Sequence, residues 1–340
     1  KQASKQASKQ ASKQASKRDL TLDCYKGVLI ILVVIRHVLQ YSVSDEGGIL
    51  TNIIWAVQMP GFMMISGYFV AKRSTDLGTG IKKSAIHYLM PFLSWYVLIS
   101  VLLLGDKNFG KGLNALIHHV DVGMWFLWVI FVLSIIATFC NAALTKKSAI
   151  HFLLSIIIGF GILGGIVVAT RDINFLGVKF ILYYSIFYGF GWLLKWTKKY
   201  WKPIWPRIKN WLYIILVIIF AAIVYNVDLY HIEDNVTGIA LRCTAGFAGC
   251  FLIYAVVERY SRALQKAKIA AIGRYTLEIY VTHMYVNGLF TKSNGNIFWT
   301  AAGFGNFTVS LICTVAFTAI IIAVIKSVPA ANFVLYGKQK

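Results

Sequence analysis

Apolar stretches of about twenty residues recur from end to end of this 340-residue chain, and no other feature constrains its fold as tightly. A helix of roughly 20 residues, rising 1.5 Å per residue, crosses about 30 Å of hydrocarbon. The composition points the same way, with 58% hydrophobic and 14% charged residues, where a soluble domain carries about 25% charged. The expected fold is therefore an all-α polytopic transmembrane helical bundle. Ten spans are expected, at roughly 26–43, 50–71, 84–105, 122–143, 149–170, 176–195, 211–228, 238–257, 271–290 and 305–326. No soluble domain of useful size is left between them.

The net charge of +21 resembles a nucleic-acid signal until it is mapped. Nearly all of the excess falls on alternate loops. Lys72, Arg73, Lys82 and Lys83 follow the second span, and Lys146 and Lys147 the fourth. Lys195 to Lys209 follow the sixth and Arg259 to Arg274 the eighth, whereas 44–49 holds Asp45 and Glu46 and no cation. This is the positive-inside pattern, and it predicts cytoplasmic N and C termini in a multi-pass protein of a bacterial plasma membrane. The basic charge reads as orientation plus attraction to anionic lipid, which excludes nucleic acid as the expected partner.

The first sixteen residues are four copies of Lys-Gln-Ala-Ser. Such a repeat has no apolar face, so residues 1–17 are expected to be a disordered tail or an artefactual repeat, and 18–340 one transmembrane domain. The first span is expected to serve as its own insertion signal. The five cysteines (Cys24, Cys140, Cys243, Cys250, Cys313) show no metal-ligand spacing and read as buried free thiols, so no metal is expected.

Polar residues inside the spans mark the functional region. Lys26 and His37 are eleven residues apart, about three helical turns with a net rotation of about 20°, so they share one face about 16 Å apart. In a bare reading Lys26 is a boundary cation and His37 a hydrogen-bonded core residue. The adjacent Arg36, in an otherwise apolar run, favours a water-accessible cavity instead. In the ninth span Thr276, Tyr280, His283 and Asn287 fall on one face, while Glu278 points elsewhere and is expected to neutralise a buried cation such as Arg36 or Arg242. In the second span Pro60, Gly61 and Gly67 permit a kink and close helix approach, with Ser66 as a hydrogen-bonding residue. Trp125 and Trp128 read as outer-interface aromatics, and the polar loop 226–237 is a candidate place to meet a sugar.

In order along the chain come Asp23-x-x-Lys26-Gly27 with His37, then Gly61-Phe-Met-Met-Ile-Ser-Gly-Tyr. Trp125-Phe-Leu and Gly273-Arg-Tyr-Thr-Leu-Glu-Ile-Tyr-Val-Thr-His283 follow. Together these resemble the acyltransferase 3 family of integral membrane acyltransferases, in its branch of polysaccharide O-acetyltransferases and fucose-4-O-acetylase-like proteins, over 18 to about 330. The resemblance implies acetyl transfer from cytosolic acetyl-CoA to a hydroxyl of a cell-surface glycan or lipid-linked sugar. The family's essential histidine maps to His37. The basic residue eleven positions earlier, often Arg in the family, is Lys26 here, which keeps the charge and loses bidentate phosphate geometry. An Arg-x-x-Arg element near the third span takes the form of Lys82-Lys83 and His87. Some relatives carry a fused extracellular esterase-like domain. No such domain is expected in this chain, which implies action alone, as a homo-oligomer or with a partner protein.

The chemistry of the residues agrees with that implication. Asp23, Lys26, Lys82, Lys83 and Arg274 are the candidate donor-binding set, with the cations holding phosphates by charge-assisted hydrogen bonds. His37 is the candidate general base, and its ordinary pKa near 6.5 suits proton transfer at neutral pH. His283, Tyr280 or Arg36 are candidates for stabilising the oxyanion. Ser66, Trp125, Arg242 and Glu278 are assigned substrate or structural roles. Mid-membrane ionisable groups also serve transport, so a transporter or flippase for a glycan, lipid or small anion is the alternative, and a non-catalytic sensor a third reading.

Overall fold

The computed structural model describes residues 19–71, 76–98, 114, 117–118, 124–145, 149–170, 175–233, 235–287 and 296–338. Among these the secondary structure is entirely helical. Helix α1 (Leu20–Ser42) starts where the Asp19 side chain accepts from the Thr21 and Leu22 amides at 3.1 and 3.2 Å, satisfying donors that the first turn leaves free. Helix α2 (Ile49–Val70) returns beside it with Pro60 inside. The amphipathic α3 (Leu77–Ser84), capped by Asp76 on the Thr79 amide, runs through a π-helical turn (Ala85–Leu89) into α4 (Met90–Val97).

Next come α5 (Trp125–Thr145), α6 (Ala149–Ala169), α7 (Val178–Trp196), α8 (Trp205–Asn226) and α9 (Val236–Arg259). After two short helices (Ser261–Lys266 and Ile269–Ile272) the chain forms α10 (Thr276–Asn287), α11 (Ala301–Ser327) and α12 (Pro329–Tyr336).

Among the described residues, six helices are long and apolar enough to cross a membrane: α2, α5, α7, α8, α9 and α11. They coincide with expected spans two, four, six, seven, eight and ten. The first expected span is a full-length helix that carries Asp23, Lys26, Arg36 and His37. The ninth is shorter than expected, because the chain bends at 273–275 before α10 begins. The expected third span is a composite of π-turn and α4, and its remainder, 99–105, lies outside the described residues, as do Lys72, Arg73, Lys146, Lys147 and the tail 1–18.

Burial sorts the helices into a centre and a rim. α2 is buried along most of its length, and α1 presents Leu29, Ile30, Val33, Val38 and Leu39 to the interior. α8 buries only Val224 and exposes Ile208, Ile214, Ile215 and Ile218. That pattern fits a rim helix facing lipid tails, which are as apolar as its own side chains. Association in such a setting relies on close packing and polar bonds rather than on apolar burial.

The α2–α7 seam shows both. A Cβ on Gly67 would run into the Tyr188 carbonyl, and one on Gly191 into the Met64 carbonyl, so two glycines let the backbones touch reciprocally. Beside them Asn141 of α5 donates to the Val70 carbonyl (2.9 Å) and accepts from Trp192 Nε1 (3.0 Å). At the other end of α2, Asn52 Nδ2 donates to the Val224 and Val227 carbonyls at 2.8 and 2.7 Å, and its Oδ1 accepts from the Leu229 amide at 2.9 Å. One side chain thus satisfies carbonyls that the end of α8 leaves without helical partners.

The start of α1 is fixed the same way. Gly27 lies under the Ile269 carbonyl, and Gly273 meets the Asp23 carbonyl and the Gly27 amide too closely to admit any side chain. This contact sets Asp23 and Lys26 beside Arg274 and the beginning of α10.

Candidate functional site

Two cavities meet at that junction. The inner one, about 190 Å³, is walled by Ile30, Met59, Phe62, Phe126 and Leu127, with Ser66 and Tyr280 as polar members of its lining. The outer one, about 480 Å³, is lined by Lys26, His87, Arg274, Tyr275, Lys326 and Lys338 among others. Lys26, His87, Thr276 and Leu277 line both and form the neck between them. His87 reaches the neck from the π-helical turn, a local widening that is frequent at functional sites. Lys26 Nζ is held at 2.8 Å from Asp23 Oδ1, with Asp23 itself almost wholly buried, and lies 5.5 Å from the centre of the Phe69 ring.

Past the neck, the Tyr280 ring packs on Phe126 at 5.3 Å and lies 6.2 Å from His283. The His283 ring is in turn 5.2 Å from that of His37, across the α1–α10 contact. Two histidines that the sequence places 246 positions apart therefore form one pair. His283 is fully buried, and its Nδ1 lies 2.7 Å from the Ile279 carbonyl. A carbonyl only accepts, so Nδ1 carries the hydrogen, and in the neutral form of the ring Nε2 is left as the acceptor. Nε2 of His283 and Nδ1 of His37 are both buried without a hydrogen-bond partner. Buried polar nitrogens in that state have unspent hydrogen-bonding capacity, as a site that receives a substrate proton requires. Asn287, one turn further along the same face, accepts from Thr314 at 2.9 Å.

The structure brings Ser66, Tyr280, Lys26 and Arg274 into the cavity linings, with Asp23 on Lys26 and the His283–His37 pair behind Tyr280 and outside both linings, and leaves other expected residues elsewhere. Lys82 and Lys83 are exposed on α3 and line neither cavity, although His87 of the same cluster does. Arg36 is buried but turned away: Nη1 donates to Gln40 Oε1 (3.1 Å), Nη2 lies 3.5 Å from Glu46, and the guanidinium covers the Tyr230 ring at 5.1 Å. Arg242 donates to the Leu229 and Ile232 carbonyls and so ties the 226–237 loop to α9. Trp125 stacks on Tyr184 with ring centres 5.1 Å apart, a packing contact in the α5–α7 interface.

Glu278 corrects an expectation. It neutralises neither Arg36 nor Arg242, and its partner is Lys338, with Nζ at 2.5 Å from Oε1. The chain returns to α10 after α12, which no local pattern around Glu278 foretells. Lys326 and Lys338 were likewise missed as lining residues. Their one sequence signal is shared with Lys26: each is a cation near the end of an apolar helix or just past it. Among the described residues no group of three His, Cys, Asp or Glu side chains is placed to hold a metal ion.

The site thus sets an anion-attracting mouth and its inner cavity next to a buried histidine pair, with Tyr280 between them. A family model described as an acyltransferase domain, the acyltransferase 3 model, matches residues 19–326. The chain belongs to this acyltransferase family. Among curated proteins it is similar to the nodulation protein NolL of Mesorhizobium japonicum, 25% identical over 301 residues that cover 78% of this chain and 75% of that protein. It is also similar to the nodulation protein NolL of Sinorhizobium fredii, 33% identical over 191 residues that cover 53% of this chain and 50% of the relative. No solved structure matches. In this acyltransferase the matched region contains both histidines and every helix from α1 to the last turn of α11.

Proposed function

We propose that the chain is a membrane-embedded O-acyltransferase that moves an acetyl group from cytosolic acetyl-CoA to a hydroxyl of a cell-surface glycan or lipid-linked sugar. The observation that carries this reading is a cation-lined mouth that opens through a neck onto an apolar cavity lined by Tyr280, behind which the buried pair His283 and His37 keeps one nitrogen each without a hydrogen bond. A thioester donor is a polyanion with a long neutral arm, and the site has the matching polarity along its length. Phosphates suit Lys26 and Arg274 at the mouth, and the arm suits the apolar walls of the inner cavity. The roughly 16 Å between Lys26 and His37 fits such a tether.

In the transfer step His37 takes the proton of the acceptor hydroxyl as its oxygen attacks the thioester carbonyl carbon. The tetrahedral intermediate collapses with cleavage of the C–S bond, and the proton passes from His37 to the departing thiolate. His283 lies beside His37 and serves as the second proton site, and Tyr280, which lines the inner cavity next to His283, is assigned to the developing oxyanion. Arg36, engaged by Glu46, Gln40 and Tyr230, belongs on this reading to the acceptor side. The proposal includes the ten spans with cytoplasmic termini.

Membranes from cells producing the chain, incubated with radiolabelled acetyl-CoA, are expected to yield base-labile label in lipid-linked or polymeric glycan. Absence of label with a correctly inserted chain, together with glycan flux in sealed vesicles lacking any donor, would replace the enzyme by a transporter.

A further inference from the structure

The C-terminal end of the chain enters the site by a route that the sequence motifs do not mark. α11 carries Lys326 in its last turn, α12 follows from Pro329, and Gly337 in the left-handed region (φ 64°) turns the chain back towards α10. The segment is anchored. The hydroxyl of the fully buried Tyr336 pairs with Thr282 Oγ1 at 3.0 Å, Trp95 Nε1 donates to the Leu335 carbonyl at 2.9 Å, and Asn332 Nδ2 donates to the Lys338 carbonyl at 3.0 Å.

Lys338 Nζ then donates to Glu278 Oε1 and, at 3.2 Å, to the Arg274 carbonyl. An ammonium has three N–H donors, so one remains for the cavity that Lys338 lines. Glu278 is fully buried, and a carboxylate in that position binds its counter-ion tightly because separation would strand the charge. Lys338 is therefore a pinned cation, as Lys26 is through Asp23. Lys326 sits 4.2 Å from the centre of the Tyr275 ring, and Lys338 5.8 Å from the same ring. The outer cavity is thus bordered by Lys26, Arg274, Lys326 and Lys338, while its lining contains no Asp or Glu. Asp23 and Glu278 offset the charge of Lys26 and Lys338 from behind, so the concavity keeps a positive excess with Arg274 and Lys326, which an anion of several charges would match.

We propose that Lys326 and Lys338 complete a polyphosphate-binding mouth and hold phosphate groups of the acyl donor. The assignment of the anion to the donor rests on the function proposed above; the mouth itself rests on the cavity. An anionic lipid headgroup offers the same chemistry, and the experiment separates the two sources. Full-length protein in zwitterionic nanodiscs, and in parallel in phosphatidylglycerol nanodiscs, would be titrated with coenzyme A and with pyrophosphate, followed by calorimetry. The variants are Lys326→Gln, the double variant Lys338→Gln/Glu278→Gln, which leaves no stranded carboxylate, and Lys202→Gln as a surface-charge control.

Loss of one charge-assisted hydrogen bond is expected to weaken both probes about tenfold in the first two variants, and Lys202→Gln not at all. Wild-type affinities in both mouth variants would overturn the proposal, as would a Lys326 or Lys338 effect confined to phosphatidylglycerol nanodiscs. Lys326-dependent binding of pyrophosphate without binding of coenzyme A would keep the mouth and remove the donor reading. Binding of neither probe would remove both.

Discussion

At the scale of single residues, the site depends on pairs that are distant in sequence. Lys26 and His37 are legible together because eleven residues return to the same helix face. Their partners are not legible to the same degree. His283 shows itself as a polar residue in an apolar span, but its 5.2 Å approach to His37 depends on how α10 packs against α1. Glu278 is more opaque still, since its counter-ion arrives from beyond α12. Lys82 and Lys83 fit a phosphate-binding pattern in sequence, and in the fold they are exposed on an amphipathic helix and line neither cavity. At this scale we predict that Lys26→Ala raises the KM for acetyl-CoA by about tenfold or more and leaves kcat within a few-fold, the signature of lost binding that is equal in ground and transition states. Steady-state rates over a donor titration would check this, and an unchanged KM would remove Lys26 from the donor site. We further predict that Tyr336→Phe, which breaks the buried bond to Thr282, lowers stability by about 1 kcal/mol in detergent unfolding.

At the scale of helices, glycines distinguish contact from exposure. Gly67 and Gly191 lie where α2 and α7 backbones touch, whereas Gly164 and Gly165 of α6 have open space around the position of a Cβ. We predict that Gly67→Ala destabilises by about 1–3 kcal/mol through overpacking, while Gly165→Ala is neutral or slightly stabilising because helix propensity improves. Thermal unfolding of the two purified variants would check both, and equal stability would mean the seam is looser than its geometry. The apolar runs that became α2, α5, α7, α8, α9 and α11 were readable because each is long enough to cross a bilayer. The break before α10 was not, because Gly273 is needed there for close approach to Asp23 and Gly27, a contact between remote segments.

At the scale of the molecule, the alternation of basic and non-basic loops proposes which side each end of the site faces. The mouth residues Lys26, Arg274, Lys326 and Lys338 then face the cytosol, and the loop 226–237 with Arg242 and Trp55 faces outward. We predict that His231→Cys reacts with a membrane-impermeant thiol reagent in intact cells, and that Lys202→Cys reacts only after permeabilisation, each scored against the parent chain. The reverse pattern would invert the site and remove cytosolic acetyl-CoA as donor. The central claim, that His37 performs the proton transfer in a site which binds the donor independently of it, is tested most directly by measuring donor binding and acetyl transfer together on His37→Ala. The account predicts acetyl-CoA affinity near that of the wild type and transfer reduced by roughly 10²–10⁴-fold, the contribution of a positioned general base. Transfer at the wild-type rate in that variant would contradict it.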